Sequence, residues 1–369
     1  MARGARLSKL NELVWSAEAG GGPITIGIDL GDRYSHCCVL ASNGDSVTEG
    51  RIRTAPEAFA RHFQHLAPAR IAIEVGGHSR WVSQLLTSWG HEVLVANARM
   101  VQLISAGVRK SDQIDAQLLA RVARVDPTLL APITHVGHHH YPDIAQLRAR
   151  ALLVRTRTRL INAVRGIVKT VGVRLPACHS RSFPEKTIAL IPSDLQPSLN
   201  PLLEVIAEVT AKIHSYDRLI EQLARHQYPE TARLRQVPGV GPVTALQFVL
   251  TLGDPRRFRH SRDVGPFLGL VPRRRQSGET DKQLRISKAG NTEMRTLLVQ
   301  CSQYILGPFG PDTDLKRWGT TMAVRGGKNA KRRAIVAVAR KLSVLLHKLW
   351  ISGCAYVPLY NAGIVLSSA

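Results

Sequence analysis

Acidic and aromatic residues are both scarce in this chain of 369 residues. Lysine and arginine total 50 against 27 aspartate and glutamate residues, a formal net charge of +23 at pH 7. Solubility does not require so large an excess, so the composition indicates a polyanionic partner, and nucleic acid is the first choice. Aromatic residues make up 5% of the chain and hydrophobic residues 44%, as in a globular protein long enough for two or three domains.

Long hydrophobic runs are also missing. No stretch of 18 or more apolar residues and no lipidation signal occurs, which argues against a membrane as the anionic partner. Residues 1–22 are basic and glycine-rich without the apolar core of a signal peptide, so we expect a flexible leader. The five cysteines include no C-x-x-C pair, which favours reduced thiols in a cytoplasmic protein.

The clearest local pattern is the segment Ile24–Arg33, where β-branched residues alternate with small ones and lead into Asp29. It predicts a buried strand that carries a carboxylate near its end. Gly27 and Gly31 are expected to leave room for a substrate backbone or a phosphate.

A second strand ends in an acid at Glu74, within the apolar segment 70–77. Further strands are predicted at Ser35–Leu40, Val47–Arg53 and Glu92–Ala96, and helices at Glu57–Leu66 and Trp81–Trp89. The order βββαβαβ followed by a helix predicts an α/β domain over residues 23–131.

Asp112 and Asp115 open a predicted helix, Gln113–Arg124, and share one of its faces because they lie three residues apart. Two like charges so close together repel each other, and a divalent cation between them would remove that repulsion. The alternative is an N-cap and a solvated acid in the first turn. With Asp29 and Glu74, the pair makes a candidate set of four metal ligands.

A histidine-rich segment between two prolines ends the predicted first domain. No cysteine or acid lies at ligand spacing beside these histidines, so a solvated linker is favoured over a zinc site. The histidines are His135, His138, His139 and His140.

A long basic helix, Ile144–Val171, begins the predicted middle region of residues 144–226. Repulsion among its charges would destabilise an isolated helix, so we expect a phosphate backbone to neutralise them, with a solvated face as the alternative. The cations are Arg148, Arg150, Arg155, Arg157, Arg159, Arg165 and Lys169.

After a loop rich in proline and serine, residues 175–197, apolar residues recur in steps of three and four. This seam lasts more than three heptads and predicts a coiled coil. Its partner is either the basic helix or another subunit, and the sequence leaves that choice open. The seam residues are Leu199, Leu202, Ile206, Val209, Ile213, Tyr216, Ile220 and Leu223.

A mostly helical C-terminal domain is predicted over residues 228–358, followed by a tail at 359–369. Val237–Pro242 resembles a helix-hairpin-helix turn whose backbone N–H groups can bind a phosphate, and a plain tight turn is the alternative. An amphipathic helix is predicted at Ala334–Trp350. Its buried residues are expected to be Ile335, Val338, Leu342, Leu345 and Leu346, and it follows the cations Lys328, Lys331, Arg332 and Arg333.

Ser277 and Gly278 follow closely on three arginines, Arg273–Arg275. Such a positive and flexible environment suits a phosphate held against a hydroxyl, and it would stabilise charge that builds up at phosphorus. Ser-Gly in a basic loop is commonplace, however, so the chemistry alone does not single out a nucleophile.

Together these segments resemble the DEDD transposases of the insertion-sequence one-ten family, which are relatives of the pilin-gene invertase. The resemblance extends from Ile24 to about Pro358, and the order and spacing of its motifs make it specific. The motifs are Gly27–Asp29, Ile73–Gly77, Lys110–Ala116, Val237–Gly241, Gly269–Pro272 with Ser277-Gly278, and Ser287–Asn291.

The resemblance implies an RNase-H-like N-terminal domain, similar to the RuvC resolvase, and a C-terminal transposase domain. It implies that Asp29, Glu74, Asp112 and Asp115 bind Mg²⁺ and that Ser277 attacks DNA. It also implies recombination of donor and target DNA directed by a structured bridge RNA, in dimers that assemble into tetramers. The expected nucleic-acid contacts are Arg148, Arg155, Arg159, Arg165, Arg273, Arg274, Arg275, Lys288, Lys331 and Arg332.

Three other functions stay open on the sequence. A two-metal junction resolvase would use water as the nucleophile, and Ser277 would be incidental. An actin-like ATPase or sugar kinase is suggested by Gly27–Gly31, but the second glycine-rich phosphate loop is not found. A non-catalytic nucleic-acid-binding protein would explain the charge but would leave the four clustered acids without a purpose.

Overall fold

A computed structural model describes residues 24–104, 111–278, 280–327 and 329–361. The predicted leader, Lys110, Lys328 and the end of the predicted tail lie outside the described residues. The chain divides into two compact units, one ending at His135 and the other beginning at Val136. No helix in the described ranges is both long and apolar enough to cross a membrane.

The first unit is a mixed α/β structure whose element order follows the predicted βββαβαβ pattern. A short helix, α3, is added before the last helix of the unit. The elements are β1 (Thr25–Asp29), β2 (Tyr34–Leu40), β3 (Ser46–Arg53), α1 (Pro56–Phe63), β4 (Arg70–Glu74), α2 (Ser79–Ser88), β5 (Glu92–Ala96), α3 (Ala98–Ile104) and α4 (Asp112–Val125).

The five strands form one sheet in the order β3-β2-β1-β4-β5. β1, β2 and β3 are antiparallel neighbours, whereas β1, β4 and β5 run parallel. Alternate residues of β4 pack on opposite faces, since Ile71 and Ile73 contact α1 and α2 while Ala72 contacts α3 and α4. Both faces of the parallel strands are therefore covered, as their continuous apolar sequences require.

The second unit is mostly helical, as predicted, and also contains a two-stranded hairpin. The sequence indicated loops at this hairpin and at residues 175–197, but the second stretch contains a helix and several single 3₁₀ turns. The elements are α5 (Tyr141–Thr170), α6 (Phe183–Thr187), α7 (Gln196–His226), α8 (Thr231–Leu234), α9 (Pro242–Leu252), α10 (Val264–Phe267), β6 (Pro272–Ser277), β7 (Thr280–Ile286), α11 (Thr292–Leu306), α12 (Asp314–Val324) and α13 (Ala330–Ser352).

The basic helix α5 packs against α7 within the chain. Arg150 Nε lies 2.5 Å from Asp217 Oδ1 and Arg157 donates to Thr210 Oγ1 over 3.4 Å, so the two helices run antiparallel. A helix of a globular domain buries about three positions per heptad rather than two, and the buried stripe of α7 accordingly differs from the predicted seam. Leu199, Leu203, Ile206, Thr210, Ile213, Ile220, Leu223 and Ala224 are buried, while Leu202, Val209 and Tyr216 are only half-buried.

The core of the second unit joins the base of this helical hairpin to the C-terminal helices. Ile144 of α5 and Ile220 of α7 belong to the same buried cluster as Leu246, Leu298 and Leu342, which come from α9, α11 and α13. Helix α13 begins four residues before its predicted start. Val338, Leu342 and Leu346 are buried as expected, but Ile335 and Leu345 are only half-buried.

The histidine-rich segment is more ordered than a solvated linker, and that prediction is wrong for two of its histidines. His135 Nε2 lies 3.0 Å from Ser79 Oγ, and burial lowers the pKa of His135. His140 Nδ1 lies 2.7 Å from the Tyr228 hydroxyl, which donates over 2.6 Å to the buried carboxylate of Asp143. Burial also lowers the pKa of His140. The distant partners Ser79 and Tyr228 hold the two rings, and the local sequence does not reveal them.

Candidate active site

Asp29 and Glu74 end two neighbouring parallel strands at the same edge of the sheet. In the register of β1 and β4, Ile28 pairs with Ile73, so each acid directly follows a paired residue. Adjacent strands lie about 4.8 Å apart, so the two carboxylates start from neighbouring backbone positions. Both residues are half-buried. The fold thus brings together two of the four acids at the carboxyl ends of parallel strands.

Helix α4 carries the other two acids and packs on β1 at Gly27. A Cβ atom at Gly27 would lie 2.1 Å from the carbonyl oxygen of Ala116 and 2.4 Å from the amide nitrogen of Ala120. The prediction that Gly27 makes room for a substrate or phosphate is therefore wrong, because the helix backbone fills that space. Gly31 is similar, since its Cβ would lie 2.3 Å from the Tyr34 carbonyl oxygen.

Asp112 lies in the first turn of α4, above the end of β1. Ser111 caps the helix by accepting a hydrogen bond from the Ile114 amide over 3.3 Å. His36, which pairs with Asp29 across β1 and β2, has its Nε2 atom 3.8 Å from Asp112 Oδ2. The position of His36 therefore shows that the start of α4 lies near the end of β1. Asp112 is exposed, whereas Asp115, three residues further on in the same turn, is half-buried.

Glu49 on β3 fixes the start of α4 from the side. Its two carboxylate oxygens accept hydrogen bonds from the amide groups of Gln113 and Gln117. The two glutamines lie four residues apart, hence on one face of the helix, and they flank the turn that carries Asp115. Sequence reasoning missed this contact. The spacing of the glutamines was visible, but their partner lies more than 60 residues earlier in the chain.

His78 is a further polar group near this edge that the sequence analysis did not identify. Its Nδ1 atom accepts a hydrogen bond from the Trp81 indole over 3.0 Å, and its Nε2 atom lies 3.6 Å from Asp32 Oδ1. Because Nδ1 is the acceptor, the proton of the neutral ring is on Nε2, which faces Asp32. The ring is therefore held in one tautomer.

The acids at this edge suit a hard divalent cation, since carboxylate oxygens are the ligands that Mg²⁺ prefers. Among the described residues, no three side chains of His, Cys, Asp or Glu are already close enough to hold one ion together. The chemistry of the four acids fits Mg²⁺, but the described structure does not bring three of them together: Asp29 and Glu74 lie on rigid strands, and Asp112 and Asp115 in the first turn of α4.

Ser277 is the last residue of β6 in the second unit. β6 and β7 form an antiparallel hairpin in which Ser277 pairs with Thr280. Gly278, which follows Ser277, has φ of +55°. All residues of β6 are exposed. The serine hydroxyl is thus presented at the tip of a polar β-hairpin rather than in the flexible loop that the sequence indicated.

The three arginines of β6 do not share one environment. Alternation along a strand places Arg275 on the same face as Ser277 and Arg274 on the opposite face. The guanidinium of Arg274 contacts the Asp281 carboxylate across the hairpin, and this ion pair raises the pKa of Arg274. Arg273 lies at a register shift in the hairpin. Arg275 is therefore the arginine best placed to meet a phosphate held at Ser277.

The base of the hairpin is formed by the two motifs that flank it. Arg295, which is 8% exposed, donates hydrogen bonds to the carbonyl oxygens of Leu268, Ala289 and Gly290. A Cβ atom at Gly269 would lie 2.2 Å from the Ala289 amide nitrogen, so the motifs pack backbone to backbone. Sequence reasoning missed Arg295, because one of its carbonyl partners, Leu268, lies 27 residues earlier in the chain and no local pattern indicates it.

The cations predicted to bind nucleic acid fall into two groups. Some are engaged within the protein: Arg155 pairs with Glu293 at 3.3 Å, and Arg165 donates to the carbonyls of Leu175 and Pro176 at 3.0 and 2.8 Å. Others extend into solvent, and these are Arg148, Arg159, Lys331 and Arg332. Lys288 is exposed and adopts a φ of +55°, with its amide bonded to the Gly269 carbonyl.

The proposed helix-hairpin-helix turn lies between α8 and α9. Gly239 has φ of +84°, and Gly241 is the N-cap of α9, so both glycines shape the turn. A Cβ at Gly239 would lie 2.8 Å from Tyr304 Cδ1, which shows that the turn rests on α11. The first helix of the pair is only four residues long.

Comparison with protein families gives two matches that together span most of the described chain. Residues 26–172 match a model of DEDD type described as a transposase. Residues 231–313 match the model described as the transposase IS116/IS110/IS902 family. The first match contains all four acids, and the second contains the 237–242 turn and the Ser277 hairpin.

The chain is also similar over most of its length to several transposases and to pilin gene-inverting proteins. The transposase for insertion sequence element IS1111A of Coxiella burnetii is 26% identical over 333 residues, 88% of each chain. A probable family 20 transposase of Pseudomonas aeruginosa is 28% identical over 80% of this chain and 88% of its own. The pilin gene-inverting protein of Moraxella lacunata is 23% identical over 86% of this chain and 92% of its own.

Replacing Gly27 with alanine is expected to displace α4 from β1. Overpacking of this kind costs roughly 1–3 kcal/mol, and backbone atoms at 2.1 and 2.4 Å cannot move aside as a flexible side chain would. We expect faster hydrogen exchange in peptides from α4, measured by mass spectrometry. Gly166→Ala in α5 is the control, because its Cβ meets nothing within 4 Å. Wild-type exchange in the Gly27→Ala protein would contradict the role assigned to this glycine.

Proposed function

Because the chain belongs to the IS110/IS116 family of transposases, which cut and rejoin DNA, we propose that it recombines DNA through a phosphoserine intermediate formed at Ser277. The observation that carries this proposal is the position of Ser277, exposed at the tip of β6 with Arg275 on the same strand face. The mixed α/β unit before it fits the RNase-H-like fold, and the unit that holds Ser277 is mostly helical.

The proposed first step is a transesterification. The oxygen of Ser277 bonds to the scissile phosphorus, the bond from phosphorus to the 3′ oxygen breaks, and the serine proton reaches that oxygen through solvent. In the second step the 3′ hydroxyl of another strand attacks the phosphoserine, and Ser277 recovers its proton. One phosphodiester replaces another, so no ATP is consumed. Arg275 would stabilise the charge on the phosphoryl oxygens in both steps.

The four acids form the second part of the proposed machinery. Asp29, Glu74, Asp112 and Asp115 would hold Mg²⁺, which when bound supplies positive charge beside the scissile phosphate and the departing oxygen. The contribution of the protein is to fix the donors: β1 and β4 fix the first two, and the packing of α4 at Gly27 with the Glu49 contacts fixes the others.

We also propose that a structured RNA, the bridge RNA implied by the family resemblance, directs the choice of donor and target DNA. In this proposal residues 144–226 act as a coiled-coil region between a catalytic domain at 23–131 and a transposase domain at 228–358. Dimers would assemble into tetramers, since recombination joins two duplexes. The exposed Arg148 and Arg159 on α5 support a nucleic-acid backbone as a partner of this helix.

A second candidate function is a two-metal nuclease that resolves DNA junctions. The grouping of Asp29 and Glu74 at one sheet edge supports it equally well, because such an enzyme needs only the acids. Water would then be the nucleophile. The two functions differ in what they require of Ser277.

Ser277→Ala is expected to abolish the covalent protein–DNA adduct and to lower DNA cleavage by roughly a thousandfold or more, because the nucleophile is gone. The measurement is a denaturing gel of end-labelled DNA taken from the sequence beside the gene. Ser193→Ala changes another exposed serine of the same unit and should leave both signals intact. Full cleavage by Ser277→Ala without an adduct would establish the nuclease instead.

Arg275→Ala is expected to slow adduct formation by about a hundredfold to a thousandfold, the usual cost of removing one group that stabilises transition-state charge. Arg274→Ala is the matched control, since Arg274 lies on the opposite face and contacts Asp281. Single-turnover rates at saturating DNA separate this effect from binding. Equal loss in both variants would contradict a specific role for Arg275.

RNA guidance predicts that the protein carries one discrete RNA. We expect sequencing of nucleic acid that co-purifies from cells holding the gene and its flanking DNA to return a single species encoded beside the gene, with segments complementary to two DNA sites. Recovery of random RNA or DNA, or of none, would contradict guidance. Ser277→Ala should carry the same RNA, because it changes chemistry rather than binding.

A further inference from the structure

Phe309 is the most exposed large apolar side chain in the part of the chain that the structure describes, with 85% of its surface accessible. It lies between α11 and α12 in the segment Gly307-Pro308-Phe309-Gly310-Pro311. A phenylalanine ring in water forgoes the stabilisation that burial would provide. Its position therefore suggests a contact with something outside the chain.

The loop that carries Phe309 is held firmly in place. The Lys316 ammonium donates hydrogen bonds to the carbonyl oxygens of Gly307 and Gly310, over 3.2 and 2.5 Å. Gly310 is buried, and a Cβ there would lie 2.4 Å from the Ile305 carbonyl oxygen. The ring is thus presented by an ordered backbone, which lowers the entropic cost of binding.

A second set of contacts fixes the exit of the loop into α12. Thr313 caps this helix by accepting from the Lys316 amide over 3.1 Å, and Thr313 is 2% exposed. Arg317 contacts both carboxylate oxygens of Asp312, at 2.6 to 3.1 Å. Both ends of the segment around Phe309 are therefore anchored to regular secondary structure.

Tyr304 connects this loop to the turn at Val237–Pro242. Its carbonyl accepts from the Gly307 amide over 3.1 Å, and its ring lies against Gly239 of the turn. Turns of this type at a helix N-terminus are suited to contacts with phosphates. The loop that carries Phe309 therefore begins beside a residue, Tyr304, whose ring packs on this turn.

We infer that Phe309 stacks on an unpaired nucleobase of the bound nucleic acid. The inference rests on the proposed function and adds a base contact to it. Every base has a π-face, so an aromatic platform binds bases without reading their sequence. The chain's charge of +23 favours a polyanion as the partner that this ring contacts.

The test compares wild type, Phe309→Ala and Phe309→Trp by fluorescence anisotropy, on 30-nucleotide single strands of DNA and RNA with one sequence and on the matching DNA duplex. We expect Phe309→Ala to weaken single-strand binding by roughly 5- to 150-fold, the range known for loss of one stacking contact. Phe309→Trp should bind as wild type, and duplex binding should change less than about twofold. Comparison of the single-stranded DNA with the single-stranded RNA shows which kind of nucleic acid supplies the base.

Val324→Ala is the matched control, because Val324 is 78% exposed on the neighbouring helix α12. Photo-crosslinking of 5-iodouracil strands should mark the peptide that contains Phe309. Unchanged single-strand binding by Phe309→Ala, or equal loss on the duplex, overturns the inference while leaving the proposed function intact. A change in oligomeric mass with unchanged binding would assign Phe309 to a protein contact. Failure of the wild-type protein to bind any of the three probes would overturn both the inference about Phe309 and the proposed function.

Discussion

The close packing of α4 on β1 at Gly27 is the contact on which the arrangement of the acids depends. Two of the four acids are fixed by neighbouring strands, but the other two belong to a helix that could lie anywhere along the sheet. Because residue 27 is a glycine, the backbone of α4 can come so close to β1 that any Cβ atom at this position would overlap a carbonyl and an amide group of the helix. The Glu49 contacts and the Ser111 cap then set the rotation of the helix. A residue with no side chain thereby positions carboxylates nearly 90 residues away in the sequence.

The sequence was sufficient to predict the strands that carry Asp29 and Glu74, because each strand combines an apolar run with an acid at its end. It could not show what Gly27 contacts, since Ala116 and Ala120 are distant in the chain and no local pattern names them. From the sequence alone, the space beside Gly27 is therefore expected to hold a substrate, whereas the helix backbone fills it. Asp112 and Asp115 were recognisable as a pair, but His36, the neighbour of Asp112, is brought there by strand pairing, which one sequence does not reveal.

The β6–β7 hairpin shows a different limit. All of β6 is exposed, so no alternation of apolar and polar residues marks it as a strand. Chemistry alone gave Ser277 no priority over other serines, and the family resemblance supplied its role. Among the cations expected to bind nucleic acid, Arg155, Arg165 and Arg274 also contact groups within the protein, which one sequence does not reveal. A count of charges overstates the surface left for a polyanion when the internal partners are distant in sequence.

The way the Ser277 hairpin is anchored has a consequence for ionic strength. Arg295 is buried and bonds to the carbonyl oxygens of Leu268, Ala289 and Gly290 rather than to carboxylates. Buried hydrogen bonds of this kind are screened far less by salt than contacts between exposed cations and phosphates. Salt that releases nucleic acid from the surface should therefore leave the hairpin in position. The protein can then dissociate from DNA without losing the shape of the hairpin that carries Ser277, the proposed nucleophile.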